Sequence, residues 1–489
     1  MLREVAQAVL VPGWNARRRL PLPAIALIAT GVLMPLVVAA YAVLSGRNWV
    51  ALTLDAQFLA WVMTAGIAAV VARLIAVTEV WFSARRDYTW NPNDRWAIAL
   101  VVAVIVPLTI SVVEVGRARA SIEPAFAGQS NLPLFDSSAT FSATEVATTL
   151  AQPASTSEVP TSSHEVPSSA PSESPSSPSE STTSTSTPTT TTVPPKPERP
   201  RSGVDPAVIA DVTNVLLLGG DAGPDRWGLR TDTMMLFSLH EPSGRAALIS
   251  IPRNLGKLLF PPGSALEAAY PYGFTQIANA VYPIVSVRPE LRAAYDVEGV
   301  RPGVVAIAHG LGYSLDVTIH DYVLIDMQGF LELIDALGGV TVELSSEVQM
   351  PGNVPGAPTQ YPDTIGPGVI EMDGTTALGY VRSRKGDTDY HRTARQRDLL
   401  EALATQISFD DVALSFGSVS SAIGGTLRTS LSPDQLAEAL AVIGGETAIT
   451  ESVGLVPPLV RVDNPDYREL ARIVGAVGVA LATGQPSGY

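Results

Sequence analysis

The sequence predicts an α/β fold, a mixed central sheet flanked by helices in an α-β-α layered extracytoplasmic domain, preceded by three transmembrane helices. Three observations lead there. Long uncharged apolar runs crowd the N-terminal region, a Ser/Thr/Pro-rich stretch separates them from the remainder, and beyond Val204 short β-type runs alternate with helical periodicity.

At 489 residues the chain has room for two or three domains. It has no cysteine, which excludes a disulfide framework and a thiolate metal site. A net charge of −15 argues against nucleic acid as a partner, because a phosphate-tracking protein carries a basic excess. Any anion site must then be a local concentration of arginine. A mean hydropathy of +0.23 with 16% charged residues is too apolar for an ordinary soluble protein, and the N-terminal region accounts for it.

Residues 1–120 form the expected membrane domain. Leu22–Leu44, Ala56–Val77 and Trp96–Val113 are the three expected spans, judged against the roughly 20 helical residues that a hydrocarbon layer requires. Arg73 lies near one end of the second, where it could snorkel to the interface. Arg17, Arg18 and Arg19 precede the first span, and Arg85, Arg86 and Arg95 lie between the second and third, whereas the connection after the first has only Arg47. Positive-inside bias places the N-terminus in the cytoplasm and everything after the third span outside. Residues 121–203 read as a disordered linker, with no lysine or arginine between Arg119 and Lys196. As a flexible coil of about 80 residues it would span ~50 Å.

The outer domain, residues 204–489, opens with Asn214–Leu218, an apolar strand that ends at Gly219, Gly220 and Asp221. Thr233–His240 is a second strand, Glu241–Gly244 a turn, and Ala246–Ile251 a third strand leading into Pro252 and Arg253. The connection between the first two strands is too short for a crossover helix, so they should pair antiparallel. Asp221, Asp232 and Arg253 should therefore converge at one sheet edge. Tyr322–Asp326 reads as a strand, Gln328–Leu337 as a helix closed by Gly338 and Gly339, and Val340–Leu344 as a strand. Pro433–Ile443, capped by Ser432, and Asp466–Ala482 read as further helices.

The densest chemistry lies at Arg382–Gln396. With Tyr380–Arg384 extended, Arg382 and Arg384 leave one face as a pair. A helix follows from near Asp389, with Asp387 and Asp389 as candidate caps and Leu399, Leu400, Leu403 and Ile407 as its apolar stripe. Arg392, Arg395 and Gln396 share one face of its first turns, where cations oppose the helix dipole. An anion with several oxygens, held by free backbone N–H groups and arginines, would make that start favourable. The alternative is a solvated basic face paired with Asp387, Asp389 and Asp398. Two carboxylates and several arginines at one sheet edge suit a divalent metal shared with a phosphate group; alternatively, Asp232 caps a turn and Asp221 an Asx-turn. The L-L-L-G-G-D-A-G run lacks the Lys-Ser/Thr of a nucleotide P-loop, and no G-x-S-x-G elbow accompanies the histidines.

Seven blocks in order carry a resemblance: N-V-L-L-L-G-G-D, L-R-T-D-T-M-M-L, I-S-I-P-R, Q-I-A-N-A-V-Y, G-F-L-E-L-I-D-A-L-G-G-V, M-D-G-T-T-A-L-G-Y-V-R-S-R and D-Y-H-R-T-A-R-Q. Together they resemble the LytR-CpsA-Psr family over about Val204–Ile407. The resemblance implies an extracytoplasmic phosphotransferase that moves a glycopolymer from a polyprenyl-pyrophosphate carrier onto peptidoglycan, with Mg²⁺ as cofactor and the lipid bilayer as a further partner. It implies Asp221 and Asp232 as metal ligands, and Arg230, Arg253, Arg382, Arg384, Arg392, Arg395 and Gln396 around the pyrophosphate. Asp232, Arg253 and Arg384 would be the catalytic residues, Asp232 assisting the attacking hydroxyl. Asn254 stands where the family usually has an acid, and three spans replace the commoner one. A lipid pyrophosphatase and a non-catalytic tethered wall-binding protein are the alternative functions.

Overall fold

The short connections that the sequence reading singled out dictate the sheet. In a computed structural model of the chain, residues 7, 10–11, 28–47, 49–84, 94–128, 133–139, 196–221, 229–352, 360–406, 426–436, 438 and 449–489 are described. The first strand, β1 (Val212–Gly220), pairs antiparallel with β2 (Thr231–His240), and β2 pairs antiparallel with β3 (Arg245–Ser250) through the expected turn. A buried helix, α4 (Pro302–Leu315), leads to β4 (Asp321–Asp326), which lies parallel to β1 on its other side. Two short outer strands, β7 (Leu427–Thr429) beside β4 and β8 (Ile449–Gly454) beside β3, complete a six-stranded mixed sheet in the order β8-β3-β2-β1-β4-β7.

Alternation along β1 and β2 sends side chains to two cores. Leu216, Leu218, Met234 and Leu236 enter the core that includes α4 residues and α8 (Tyr467–Thr483). Val215, Phe237, Leu239 and Leu248 enter the opposite one, with Leu400 of α7 (Asp389–Gln406) packed against it. Helix α5 (Met327–Ala336) follows β4 directly, its N-terminus capped by Asp326, whose Oδ1 accepts from the Gly329 N–H at 2.9 Å. Val340–Leu344 is a strand as expected (β5), but it pairs with β6 (Gly368–Met372) in a separate two-stranded sheet. Ser432 and Gln435 form a reciprocal cap on residues 433–436; residues 437 and 439–443 of that expected helix, and Ile407 of the α7 stripe, lie outside the described residues.

Three expectations need correction. Tyr380–Arg384 is not extended: α6 (Gly374–Arg382) occupies it, capped by Asp373, whose Oδ1 accepts from the Thr376 N–H at 2.7 Å. Burial of Ala377, Leu378, Tyr380 and Val381 along one helix outweighs the β propensity of Tyr and Val. The cap of α7 is Thr388, whose hydroxyl accepts from the His391 N–H, and not Asp387 or Asp389. The linker is shorter than 121–203. Phe135 is buried and exchanges both backbone bonds with Ile319, at 3.0 and 2.9 Å, and the Ser202 N–H reaches Asp316 Oδ2 at 2.9 Å. A lone Leu-Phe pair between polar residues has no periodicity by which to announce a strand partner.

Of the N-terminal helices α1 (Met34–Leu44), α2 (Ala56–Ala84) and α3 (Asp94–Ile122), only two segments among the described residues, Ala56–Val80 and Val101–Ile122, are long and apolar enough to cross a membrane, not three. Thr30–Leu44 is a shorter apolar helix, and residues 22–27 of the expected first span lie outside the description, as do Arg17–Arg19, Arg85 and Arg86. Arg73 does not reach for an interface. Its Nη1 donates to the carbonyls of Gly31 and Ala69, both at 3.0 Å, and Gly31 belongs to the π-turn Ala29–Leu33 that precedes α1.

Candidate functional site

Close backbone approach builds the site where β1 ends. A Cβ on Gly219 would lie 2.8 Å from the Thr233 side chain, and one on Gly220 2.6 Å from the Leu229 side chain, so the two glycines let Thr233 and Leu229 pack closely on the end of β1 beside Asp221. Asp221 N–H donates to the Arg230 carbonyl at 3.0 Å, and the Arg230 N–H returns to Asp221 Oδ1 at 2.9 Å. This clamp places Asp221 and Asp232 on the wall of the same cavity. The Asp221 carboxylate is thus bound to backbone nine residues on, across the strand ends, and not two residues on as in the Asx-turn expected as the alternative.

Arg253, carried just past β3, reaches across the strand ends. Its Nη1 donates to Asp232 Oδ2 at 2.9 Å and its Nε to Asp389 Oδ2 at 3.2 Å. Asn279 donates Nδ2–H to Asp232 Oδ1 at 2.8 Å, held in place by its own N–H on the Arg253 carbonyl at 3.1 Å. Arg392 is 5% exposed; its Nη2 lies 3.1 Å from Asp389 Oδ1 and donates to the Asp232 carbonyl at 3.3 Å. Burial alone would raise the Asp232 pKa, but the Arg253 hydrogen bond and charge, the Asn279 bond and the nearby Arg392 hold it below the usual carboxylate range. Burial draws the Arg392 guanidinium down from its usual value against the pull of Asp389.

Of these groups Asp232 and Arg392 line a cavity of about 350 Å³. Asp221, Asp232, Arg382, Arg384, Arg392 and Gln396 line one end, and the walls are apolar, including Leu217, Val323, Phe330, Leu399 and Leu403. Arg384 is largely exposed, 57% by side chain, with Nη1 4.0 Å from Asp389 Oδ1. Arg382 and Arg384 thus share the cavity mouth despite the failed strand reading, because Arg382 ends α6 and Ser383 turns to extended backbone at φ −60°, ψ 137°.

Three predicted residues lie off the cavity lining: Arg253, which meets it through Asp232, and Arg395 and Arg230. Arg395 is 7% exposed and lies off the cavity lining. Its Nε donates to the Tyr380 carbonyl at 3.1 Å, its Nη1 to Asp387 Oδ2 at 2.5 Å and its Nη2 to the Ser383 carbonyl. It fastens the end of α6 to the start of α7. Arg230 is exposed, and its backbone serves Asp221 while its side chain is not part of the lining. Sequence reasoning missed Asn279, although the Q-I-A-N-A-V-Y block contained it; it offered Asp389 as a cap or as a partner of the basic face, and Asp389 bridges Arg253 and Arg392. Asn254, where the family usually has an acid, leaves a buried Oδ1 without a hydrogen bond.

The donor chemistry fits Mg²⁺ as a two-carboxylate site completed by ligand oxygens and water, since that ion is commonly held by one or two carboxylates plus phosphate. Among the described residues no group of three or more His, Cys, Asp or Glu forms an all-protein cage. The arrangement as a whole suits an amphiphile with an anionic head and a hydrocarbon tail.

Comparisons with known proteins agree with the sequence blocks. Polyisoprenyl-teichoic acid–peptidoglycan teichoic acid transferase TagU of Oceanobacillus iheyensis is 28% identical over 231 residues, 46% of this chain and 61% of that protein, so the chain spans about six tenths of that relative. TagU of Halalkalibacterium halodurans is 27% identical over 272 residues, 54% of this chain and 78% of that protein. The crystal structure of TagV from B. subtilis aligns with a TM-score of 0.40 at 21% identity, covering 55% of this chain and 97% of that one. The LytR_cpsA_psr family model matches residues 179–452, more than half of the 489, and the chain belongs to that family.

Proposed function

We propose that this protein is a membrane-anchored phosphotransferase that moves a glycopolymer from a polyprenyl-pyrophosphate carrier onto peptidoglycan on the outer side of the cell membrane, with Mg²⁺. The observation that carries this reading is a single cavity with apolar walls and a mouth of Asp221, Asp232, Arg382, Arg384 and Arg392. A hydrocarbon tail buried along such walls contributes about 0.8 kcal/mol per CH₂, and bidentate arginines match phosphate oxygens. The names of the TagU relatives support a cell-wall glycopolymer as cargo.

In this reading Arg384 and Arg392 hold the pyrophosphate, Gln396, whose Nε2 donates to the Val381 carbonyl at 3.2 Å, fixes the end of α6 beside them, and Arg253 steers Asp232 and Asp389. An acceptor sugar hydroxyl attacks the phosphorus next to the glycan, and the bond from that phosphorus to the bridging oxygen breaks, releasing polyprenyl phosphate, whose leaving oxygen takes up the hydroxyl proton. Developing negative charge on the transferred phosphoryl group falls among fixed guanidinium groups, which need no reorganisation during the step. Asp221 and Asp232 are the residues to hold Mg²⁺, which when bound supplies Lewis-acid neutralisation of phosphoryl oxygens. The depressed pKa of Asp232 keeps its carboxylate ionised, the state that both a metal ligand and a proton acceptor require, and favours the ligand role.

An acceptor-dependent transfer assay tests the proposal. A lipid-linked glycan donor is incubated with the protein, Mg²⁺ and peptidoglycan fragments, and both glycan linkage and polyprenyl phosphate are measured. Linked glycan appearing only with acceptor is expected. Release of free phosphorylated glycan at the same rate without acceptor would make the protein a pyrophosphatase, and binding without turnover a wall-binding protein.

A further inference from the structure

The catalytic domain does not hang on a tether. Six residues after α3, Gly128 already sits against Gly299, Tyr322 and Thr429, and the Thr429 N–H bonds the Ala125 carbonyl at 2.9 Å. Phe135 then joins the core of the domain through Ile319. The Ser/Thr/Pro-rich stretch leaves this domain after Ala139 and returns at Lys196, which pairs with Glu267 of the same domain. Both its ends are therefore fixed to one body, and its length cannot set the reach of the active site above the membrane.

A second contact orients that body. Ala51, Leu54, Leu59, Ala118 and Ile122, from the outer ends of the N-terminal helices and the short helix Trp49–Leu54 between α1 and α2, form one apolar cluster with Leu427. Val323, Ile325 and Leu333 pack on the same cluster. Val323, Ile325, Leu333 and Leu427 are also cavity wall, so one layer of side chains separates the cavity from the membrane helices. Val323 lies three residues from Asp326 along β4, about 10 Å from the charged mouth at the usual strand rise. Arg47 clasps the arrangement from the first outer loop: Nε and Nη2 grip Asp434 at 2.8 and 2.6 Å, and Nη1 donates to Asp55 at 2.8 Å.

We propose that the outer cap of the membrane domain is a seat that turns the thin apolar wall of the cavity toward the bilayer, and that a carrier's isoprenoid tail enters and leaves through that wall beside Leu333 and Leu427, with Arg47–Asp434 as the latch of the seat. The inference rests on the lipid-carrier reading above. Its physical basis is that a tail crossing water would expose apolar surface at about 0.8 kcal/mol per CH₂. A route shared with the bilayer avoids that cost, whereas a tether long enough to lift the domain would impose it.

The full chain in liposomes tests this with two donors, a long-chain polyprenyl-pyrophosphate glycan embedded in the bilayer and a short-chain, water-soluble analogue. With the long donor Arg47→Glu is expected to lower turnover about tenfold, equivalent to ~1.4 kcal/mol, while turnover of the short donor stays within about twofold. Adding Asp434→Arg to Arg47→Glu should restore the long donor. Because the chain lacks cysteine, an Arg47→Cys/Asp434→Cys double variant reports the seat by cross-linking in the same liposomes. Absence of that cross-link, or equal losses on both donors with Arg47→Glu, overturns the inference. Inactivity of the parent on both donors instead overturns the transferase reading and this inference with it, and the cross-link then still reports whether the seat exists.

Discussion

Arg395 and Arg384 look equivalent in sequence, two arginines of one basic cluster, and the structure separates them sharply. Arg395→Ala removes donors from the Tyr380 and Ser383 carbonyls at the end of α6 and from Asp387, and it removes a guanidinium 5.8 Å from the centre of the Tyr380 ring. Hydrogen bonds to charged groups are worth roughly 1.5–3 kcal/mol each. They do not add fully, and breaking a buried ion pair typically costs about 3–5 kcal/mol, which we take as the expected loss. For a domain of this size that corresponds to a fall in melting temperature of about 5–8 °C. Thermal unfolding of the full chain in detergent, without ligand, measures it. A melting temperature equal to or above the parent would refute the structural role and return Arg395 to the anion site, where cations clustered at a helix start repel one another in the absence of ligand.

Arg384→Gln should leave the melting temperature within about 1 °C, as exposed substitutions do, and lower turnover about 10²-fold if the guanidinium meets transition-state charge; unfolding and transfer assays on one preparation check both. Asp221→Ala and Asp232→Ala should each lose most Mg²⁺-stimulated turnover, but Asp232→Ala should cost more stability, about 3 kcal/mol against about 1 for the Asp221–Arg230 bond, because it strips a partner from Arg253 and Arg392; equal melting temperatures would contradict this. His309 packs between Phe135 and Tyr295, ring centres 5.7 and 5.6 Å away, and desolvation draws its pKa down to about 4 from 6.5. The unfolded chain therefore takes up a proton first, so stability should fall as pH drops from about 6.5 toward 4, by at most ~3 kcal/mol, and His309→Leu should flatten that slope in denaturant titrations. A cysteine introduced by Ser181→Cys should react with an impermeant thiol reagent on intact cells; labelling only after lysis would invert the topology.

How much of this was legible in the sequence follows from the range of each interaction. Short connections and period-two alternation settled β1, β2 and β3 to within two residues at each end, because a two-stranded neighbour needs no information from elsewhere in the chain. The convergence of Asp221, Asp232 and Arg253 came with them, since their places at the strand ends depend only on pairing. Strong local signals also carried α5, closed by Gly338 at φ +86°, and α8, capped by Asp466 and ended by Gly484 at φ +75°.

The sequence by itself thus determined β1 to β5, two of the apolar helices and the identity of the basic cluster, all set by local periodicity and turn chemistry. Only the tertiary structure decided which arginine of that cluster lines the cavity and which one holds two helices together. That choice depends on where α6 and α7 pack, and a guanidinium is equally suited to a phosphate and to a row of helix C-terminal carbonyls. The same holds for Phe135, Asn279 and Arg47. Each acts across more than a hundred residues of chain or through a single side-chain bond, and such contacts leave no period, spacing or composition for a linear reading to find.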